Sequence, residues 1–304
     1  MNFKPVSVSD YAILKPFFSR NPYNLSVYSP ASIIAWSFET FKASYAIKDG
    51  ELFIAGQTED PPENRHLILP LSMETPLNTP SRLYDIARGE GFDRYWYVPG
   101  DYLETLDRAE LEALFVPEEQ GEFEDYVYLA EDLIHLKGNR FSKKRNLIHQ
   151  FTREYVLKDR VQVEEILPEK VEECLQFLEI WCERHDCGAD EKSILACEKN
   201  ALITTLNNMA RIESKGIQIR VDGRVSALGV GSRLNETTAT LNFEKADSEI
   251  KGLYQFLDNE CAKRLFSGFL YINKESDMNI PSLAESKQSY NPILRIKSYA
   301  LTLR

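Results

Sequence analysis

Two short acidic stretches in the last third of the chain carry residue types suited to proton transfer. Asn242, Glu244 and Asp247 lie in NFEKAD, and Asn273, Glu275 and Asp277 lie in INKESD. Side chains on a strand alternate between faces, so Asn242 and Glu244 are expected on one face, opposite Phe243, and Asn273 with Glu275 on another. Neighbouring carboxylates raise one another's pKa, and a carboxyl poised near neutrality is a usable base. The plainer readings are a hydrated acidic loop and, for Asp247 or Ser248, a helix cap. Lys287 and Tyr290 follow in ESKQSYNP. Lys287 can hold a phosphate or a developing oxyanion, and Tyr290 can stack, donate a proton or simply fill core. Far upstream stand Lys143, Lys144, Arg145 and Asn146. Cations at the start of a helix oppose its dipole, which favours an outside anion as their reason. Arginine grips a phosphate through two parallel bonds and lysine acts as a point charge. Solvation of a helix face is the ordinary alternative.

The elements that must position these residues occur twice. In the second half, 160–167 reads as a strand, 168–185 and about 190–213 as helices, and 216–234 as a hairpin turning at Asp222-Gly223. A third strand over 237–243, a helix over about 248–266 and a strand over 269–275 follow. The first half repeats the order: a short strand and helix over 3–20, a hairpin over 44–57 turning at Asp49-Gly50, strand 66–71, helix 81–91 and strand 95–98. Asp-Gly between alternating apolar residues marks a tight hairpin, because that turn requires positive φ at its centre. Strand, helices, antiparallel meander, helix and strand is the order of the GNAT acyltransferase fold. The expected fold class is therefore α+β, as two tandem GNAT-like units, each a mostly antiparallel twisted sheet flanked by helices. Pro117 and the acidic run EEQGEFED place a boundary near 117–126. The expected division is a first unit over 1–125, a helical connection over 126–158, and a second unit over 159–304 with the active cleft. The segment 291–304 alternates Ile and Leu with polar residues and is expected to dock as closing strands. TEDPPENR (58–65) is expected to be a long polar hairpin connection.

At 304 residues the chain can bury two cores. Its net charge of −11 is uneven: residues 1–125 hold 10 Lys+Arg against 21 Asp+Glu, whereas 126–304 hold 26 of each. The first half repels polyanions, and the basic clusters lie in the second. No apolar run is long enough to span a bilayer, which needs about 18 residues. The five cysteines, an odd number and mostly in helical pattern, fit a reducing cytoplasm better than a disulfide framework. Cys182, His185 and Cys187 lack a second ligand pair, so no metal is expected.

The segments LKGNRFSKKRNLIHQF (136–151), NFEKADSEIKGLYQ (242–255) and INKESDMNIPSLAESKQSYNP (272–292), with the C-terminal strand, resemble the phosphatidylglycerol lysyltransferase C-terminal domain family. Those enzymes move an amino acid from aminoacyl-tRNA to a lipid head group, and they share a tandem GNAT fold with the Fem-type transferases. The resemblance implies an aminoacyl-tRNA donor and no cofactor. It implies an acceptor amine or hydroxyl on a small molecule, peptide or lipid head group. It also implies that the tRNA 3′ end binds the second unit through Lys143, Lys144, Arg145 and Asn146. Asn242 and Asn273 would touch substrate, and Glu244, Glu275, Asp277, Lys287 and Tyr290 would serve the chemistry. Two alternatives stand beside it. One is transfer from acetyl-CoA or another acyl-CoA, although EKADSEIKGLYQF has a single glycine where a diphosphate cradle would be glycine-rich. The other is a module that binds aminoacyl or peptidyl groups without turnover.

Overall fold

Both Asp-Gly pairs form the tips of two-residue hairpins, with φ of 52° and 79° at Asp49 and Gly50 and of 51° and 78° at Asp222 and Gly223. The computed structural model describes residues 1–19, 21–38, 41–58, 64–74, 78–185, 187 and 194–304. Most of the 58–65 connection and the expected helix start at 190 lie outside the described residues.

The first half runs β1 (Lys4–Pro5), α1 (Tyr11–Phe18), α2 (Pro30–Ala35), β2 (Phe41–Lys48), β3 (Glu51–Thr58), β4 (His66–Leu67), β5 (Leu71–Ser72), α3 (Pro80–Gly89), β6 (Arg94–Pro99), α4 (Gly100–Leu103), α5 (Arg108–Leu114) and β7 (Phe115–Glu119). The second runs β8 (Asp125–Leu129), α6 (Ala130–His135), α7 (Ser142–Glu154), β9 (Val161–Glu165), α8 (Val171–Arg184), α9 (Ile194–Asn208), β10 (Lys215–Val221), β11 (Arg224–Arg233), β12 (Thr238–Ala246), α10 (Leu253–Leu265), β13 (Tyr271–Asn273), α11 (Pro281–Gln288), β14 (Leu294–Ile296) and β15 (Ser298–Leu303). Helix starts follow local chemistry. Ser29 caps α2 ahead of Pro30, Thr79 caps α3 ahead of Pro80, and the Asp107 carboxylate accepts from Glu110 N–H at 2.9 Å at the start of α5.

The sheets have the same plan. The first is ordered β1-β2-β3-β4-β6-β15-β7, with β5 also on β3; read from its opposite edge, the second is β9-β10-β11-β12-β13-β8-β14. Each has one parallel pair, β4 with β6 and β12 with β13. On the doubled order, β8 would follow β7 in the first sheet and β15 would follow β14 in the second, and the two are exchanged. β15 from the chain's end enters the first sheet, and β8 enters the second.

This exchange corrects the division drawn from sequence. Tyr126–Leu129 are sheet rather than helical connection, and Ser298–Leu303 complete the first sheet rather than the unit ending at 304. Pro117 sits inside the edge strand β7, where a missing N–H is tolerated, and not in a linker. Alternation shows that a segment wants an edge to pair with; it does not show whose edge.

One core fills the first unit, and Ile296 and Leu301 from the chain's last strands join it. Two cores cover the second sheet, one beneath α6, α7 and α10 and the other beneath α8 and α9. Ala35 and Trp36 of the first unit pack into the α8/α9 core, with the Trp36 ring 6.4 Å from Phe243.

Candidate active site

β12 and β13 pair only between Thr238–Thr240 and Tyr271–Asn273, and then part. β12 continues to Ala246, while the chain after β13 turns away at Glu275, whose φ is 58°. A bulge helps to open this wedge. Val230 pairs with Phe243 and Gly231 with Leu241, so Asn242 has no ladder partner. Leu241 goes to the α10 core and Phe243 to the α8/α9 core. Strict alternation therefore fails here, and Asn242 and Glu244 enter different networks.

Asn242 links the two strands. Its Nδ2 donates to Glu275 Oε1 at 2.9 Å, and its Oδ1 accepts from Ser232 Oγ at 2.8 Å. Ser32 of α2 stands 3.4 Å from the same Nδ2. Glu275 N–H donates to Asn273 Oδ1 at 2.7 Å. Asn273 is fully buried, and its Nδ2 donates to Asp125 Oδ2 at 2.8 Å and to the Asn24 carbonyl at 3.1 Å. Asp125 also accepts from Ser26 N–H at 2.6 Å. One wall of the wedge thus comes from the first unit. Beside it, a narrow crevice is lined by Ser32, Trp36, Thr205, Ser214, Asn242 and Phe243.

Glu244 faces the α10 side. Its carboxylate lies 3.4 Å from Lys274 Nζ, which also pairs with the buried Asp258. Two ammonium groups lie over the Tyr290 ring, with Lys274 Nζ 4.7 Å and Lys144 Nζ 3.8 Å from its centroid. Lys144 donates to Ser289 Oγ at 2.6 Å. Loss of water raises the Glu244 pKa to about 7; Lys274 opposes the rise and Asp258 adds to it. Glu275 is likewise raised, first by desolvation, against its bond from Asn242. Lys287 is lowered by desolvation, and Glu275 pulls it back. Carboxyls that titrate near neutrality beside an opened strand pair can accept a proton at physiological pH.

The structure brings Asn242, Glu244, Asn273, Glu275, Lys287, Tyr290 and Lys144 into one region. Asp277 braces it by accepting from Tyr126 OH at 2.6 Å and from Asn279 N–H at 2.9 Å. The basic cluster divides. Lys144 is buried, and Arg145 NH1 donates to the carbonyls of Leu136 and, at 2.7 Å, Gly138. Lys143 and Asn146 remain exposed. Asp247 accepts from Glu249 N–H at 3.0 Å and pairs with Arg184 at 2.9 Å, so it is occupied structurally. His185 stacks on Trp181 at 3.9 Å and donates through Nδ1 to its carbonyl at 2.7 Å.

Sequence reasoning missed Lys274, Asp258, Asp125 and Ser32. Asp258 left a signal, an acid between Leu257 and Cys261 on the stripe that α10 buries. Asp125 and Ser32 left none, since their relevance comes from the strand exchange and from α2.

The first unit has the same wedge, and it is filled. Leu67 pairs with Tyr95, and two residues on Tyr97 turns at φ 58°, as Glu275 does two residues after Asn273. The hydroxyl of the fully buried Tyr28 accepts from Leu69 N–H at 3.2 Å and donates to the Tyr97 carbonyl at 3.1 Å. A side chain of the protein itself bridges the parted strands there.

The model of the phosphatidylglycerol lysyltransferase C-terminal family matches residues 100–302. The chain belongs to this family. Membership, with the doubled strand order above, makes it an acyltransferase-type protein of tandem GNAT fold. It is similar over its whole length to a conserved protein of unknown function from Bacteroides thetaiotaomicron, with 27% identity, 100% of both chains covered and a TM-score of 0.87. It shares its fold with the C-terminal domain of a proposed lysylphosphatidylglycerol synthetase from Agrobacterium fabrum, with 15% identity, 97% and 91% of the two chains covered and a TM-score of 0.66. No curated protein sequence matches the chain. No helix among the described residues is long and apolar enough to cross a membrane.

Proposed function

We propose that this family member transfers an aminoacyl group from aminoacyl-tRNA to an acceptor amine or hydroxyl in the wedge of the second unit. The observation that carries the reading is the polar lining of that wedge, with Glu275 held by Asn242 at its mouth. An aminoacyl ester is already activated, so the chemistry asks for placement, charge stabilisation and a base. The acceptor attacks the ester carbonyl and gives its proton to Glu275. A new C–N or C–O bond forms, the bond to the ribose oxygen breaks, and that oxygen leaves with a proton. Exposed Lys143, in the first turn of α7, would meet RNA phosphate.

Packing at α10 weighs against acyl-CoA. Gly252, at φ 85°, caps that helix, and the Leu147 carbonyl and Phe151 side chain of α7 press on the site where it would carry a Cβ. A carbonyl of α7 therefore packs beside the helix start, near the amides that a diphosphate would use.

The test is binding and transfer with charged tRNAs at about 50 mM salt, where phosphate contacts are strongest. Binding with transfer of the amino acid to an added amine supports the reading. Stabilisation by acetyl-CoA or longer acyl-CoAs with no tRNA binding overturns the donor. Binding without turnover in both the wild type and E275Q indicates a recognition module.

A further inference from the structure

Lys287 lies in the last turn of α11, half-buried, and its ammonium donates to three main-chain carbonyls. These are Lys274 O at 2.5 Å, Ser276 O at 2.5 Å and Glu275 O at 3.2 Å. Its own carbonyl accepts from Tyr128 OH at 2.7 Å, which ties the helix end to β8. A lysine has three donors, and all three are spent on the backbone. It has none left for a phosphate or an oxyanion, the roles its position in the sequence suggests.

The clasped segment has an uncommon backbone. Glu275, Met278 and Asn279 have φ of 58°, 51° and 56°, and the stretch 274–280 contains no glycine. Non-glycine residues stay in the left-handed region only where the surroundings over-determine them. At Glu275 this bend turns the chain out of β13 and presents the carboxylate to Asn242.

We infer that Lys287 is a positioning residue that clamps the 274–276 backbone and thereby fixes the Glu275 carboxylate at the mouth of the wedge. The inference rests on the reading of Glu275 as the acceptor's base. The charged groups that act on Glu275 are Asp125 of β8, Glu198 of α9 and Lys287 itself, and Asn242 of β12 is its neutral partner. Lys274 is the further charge acting on Lys287. Removing the ammonium therefore frees the loop and also withdraws a positive charge that favours ionised Glu275.

The experiment compares wild type, K287M and K287R by backbone hydrogen exchange and by carbon NMR titration of the Glu275 carboxyl, assigned through E275Q. In K287M, amides of 275–279 are expected to exchange at least about tenfold faster. The Glu275 transition is expected to move up by about one pH unit or more, because an opposite charge has gone. K287R is expected to leave that transition near its wild-type position. A K287M protein with unchanged exchange and unchanged titration overturns the proposal, and a fall in thermal stability alone does not rescue it. Nitrogen NMR of lysine-labelled wild type decides the matter if K287M does not fold. A slowly exchanging Lys287 ammonium supports the clamp, and one exchanging like surface lysines overturns it. None of these readouts needs an acyl donor, so this clamp and the transfer reading can fail separately.

Discussion

Asn242 and Glu275 come from strands that have already parted, and one hydrogen bond of 2.9 Å rejoins them. Each is presented by a local irregularity, a bulge for Asn242 and a left-handed bend for Glu275. The two irregularities meet at the point where regular pairing stops. Glu275→Gln keeps the side chain's size and removes the base. It is expected to lower transfer by about 10²- to 10⁴-fold while leaving donor binding nearly intact. Asn242→Ala removes a bond that favours the ionised carboxylate, so the acid limb of the pH–rate profile, where the base becomes protonated, should shift to higher pH. Unchanged turnover in E275Q would remove Glu275 from the mechanism.

Glu244 makes stability depend on pH in a specific direction. Its pKa is raised from 4.5 to about 7 in the folded state. The native protein therefore holds this proton more tightly than the unfolded chain does. The resulting stabilisation is full below the unfolded pKa and fades as pH rises through about 7. Relative to Glu244→Gln, the wild type should lose stability between about pH 5 and pH 8, as measured by urea denaturation. A difference that is constant with pH would contradict this assignment.

Tyr28→Phe tests the filled wedge of the first unit. The change strips a hydroxyl from between the Leu69 N–H and the Tyr97 carbonyl. Leaving buried polar groups unpaired costs about 1–3 kcal/mol each, so a clear drop in denaturant midpoint is expected. Transfer in the second unit should be little changed.

The basic cluster should split in its response to mutation. Lys143→Glu is expected to weaken RNA binding and to flatten the slope of log affinity against log salt by roughly 0.7–0.9 for each phosphate that is no longer neutralised. Arg145→Ala should instead lower stability, because Arg145 holds the carbonyls of Leu136 and Gly138 behind α6. Salt-dependent binding measurements and thermal unfolding on both variants separate the two effects. An RNA defect in Arg145→Ala at full stability would reverse the assignment.

The repeat was legible in the chain because its signals are local. Asp222-Gly223 and Asp49-Gly50 demand a tight turn wherever they occur, and alternation or helical spacing on either side depends only on near neighbours. Glu244 and Glu275 were legible for the same reason, as acids at the ends of recognisable strands. Their partners were not. Lys274 meets Asp258 only because α10 packs over the sheet, and the burial that raises Glu244 exists only in that packing. Lys144 reads as a surface cation and is buried over Tyr290; Lys287 reads as an anion ligand and clasps three carbonyls.

Sequence alone therefore settled the hairpins and the helices and strands that flank them, that the set occurs twice, and where the acids lie along it. Tertiary structure decided that β8 and β15 change places between the sheets, that Tyr28 fills one wedge, and that the other is lined with polar groups. The reason is one of range. Turn and strand preferences act over a few residues, whereas desolvation and hydrogen-bond partners are set by whatever distant chain arrives alongside.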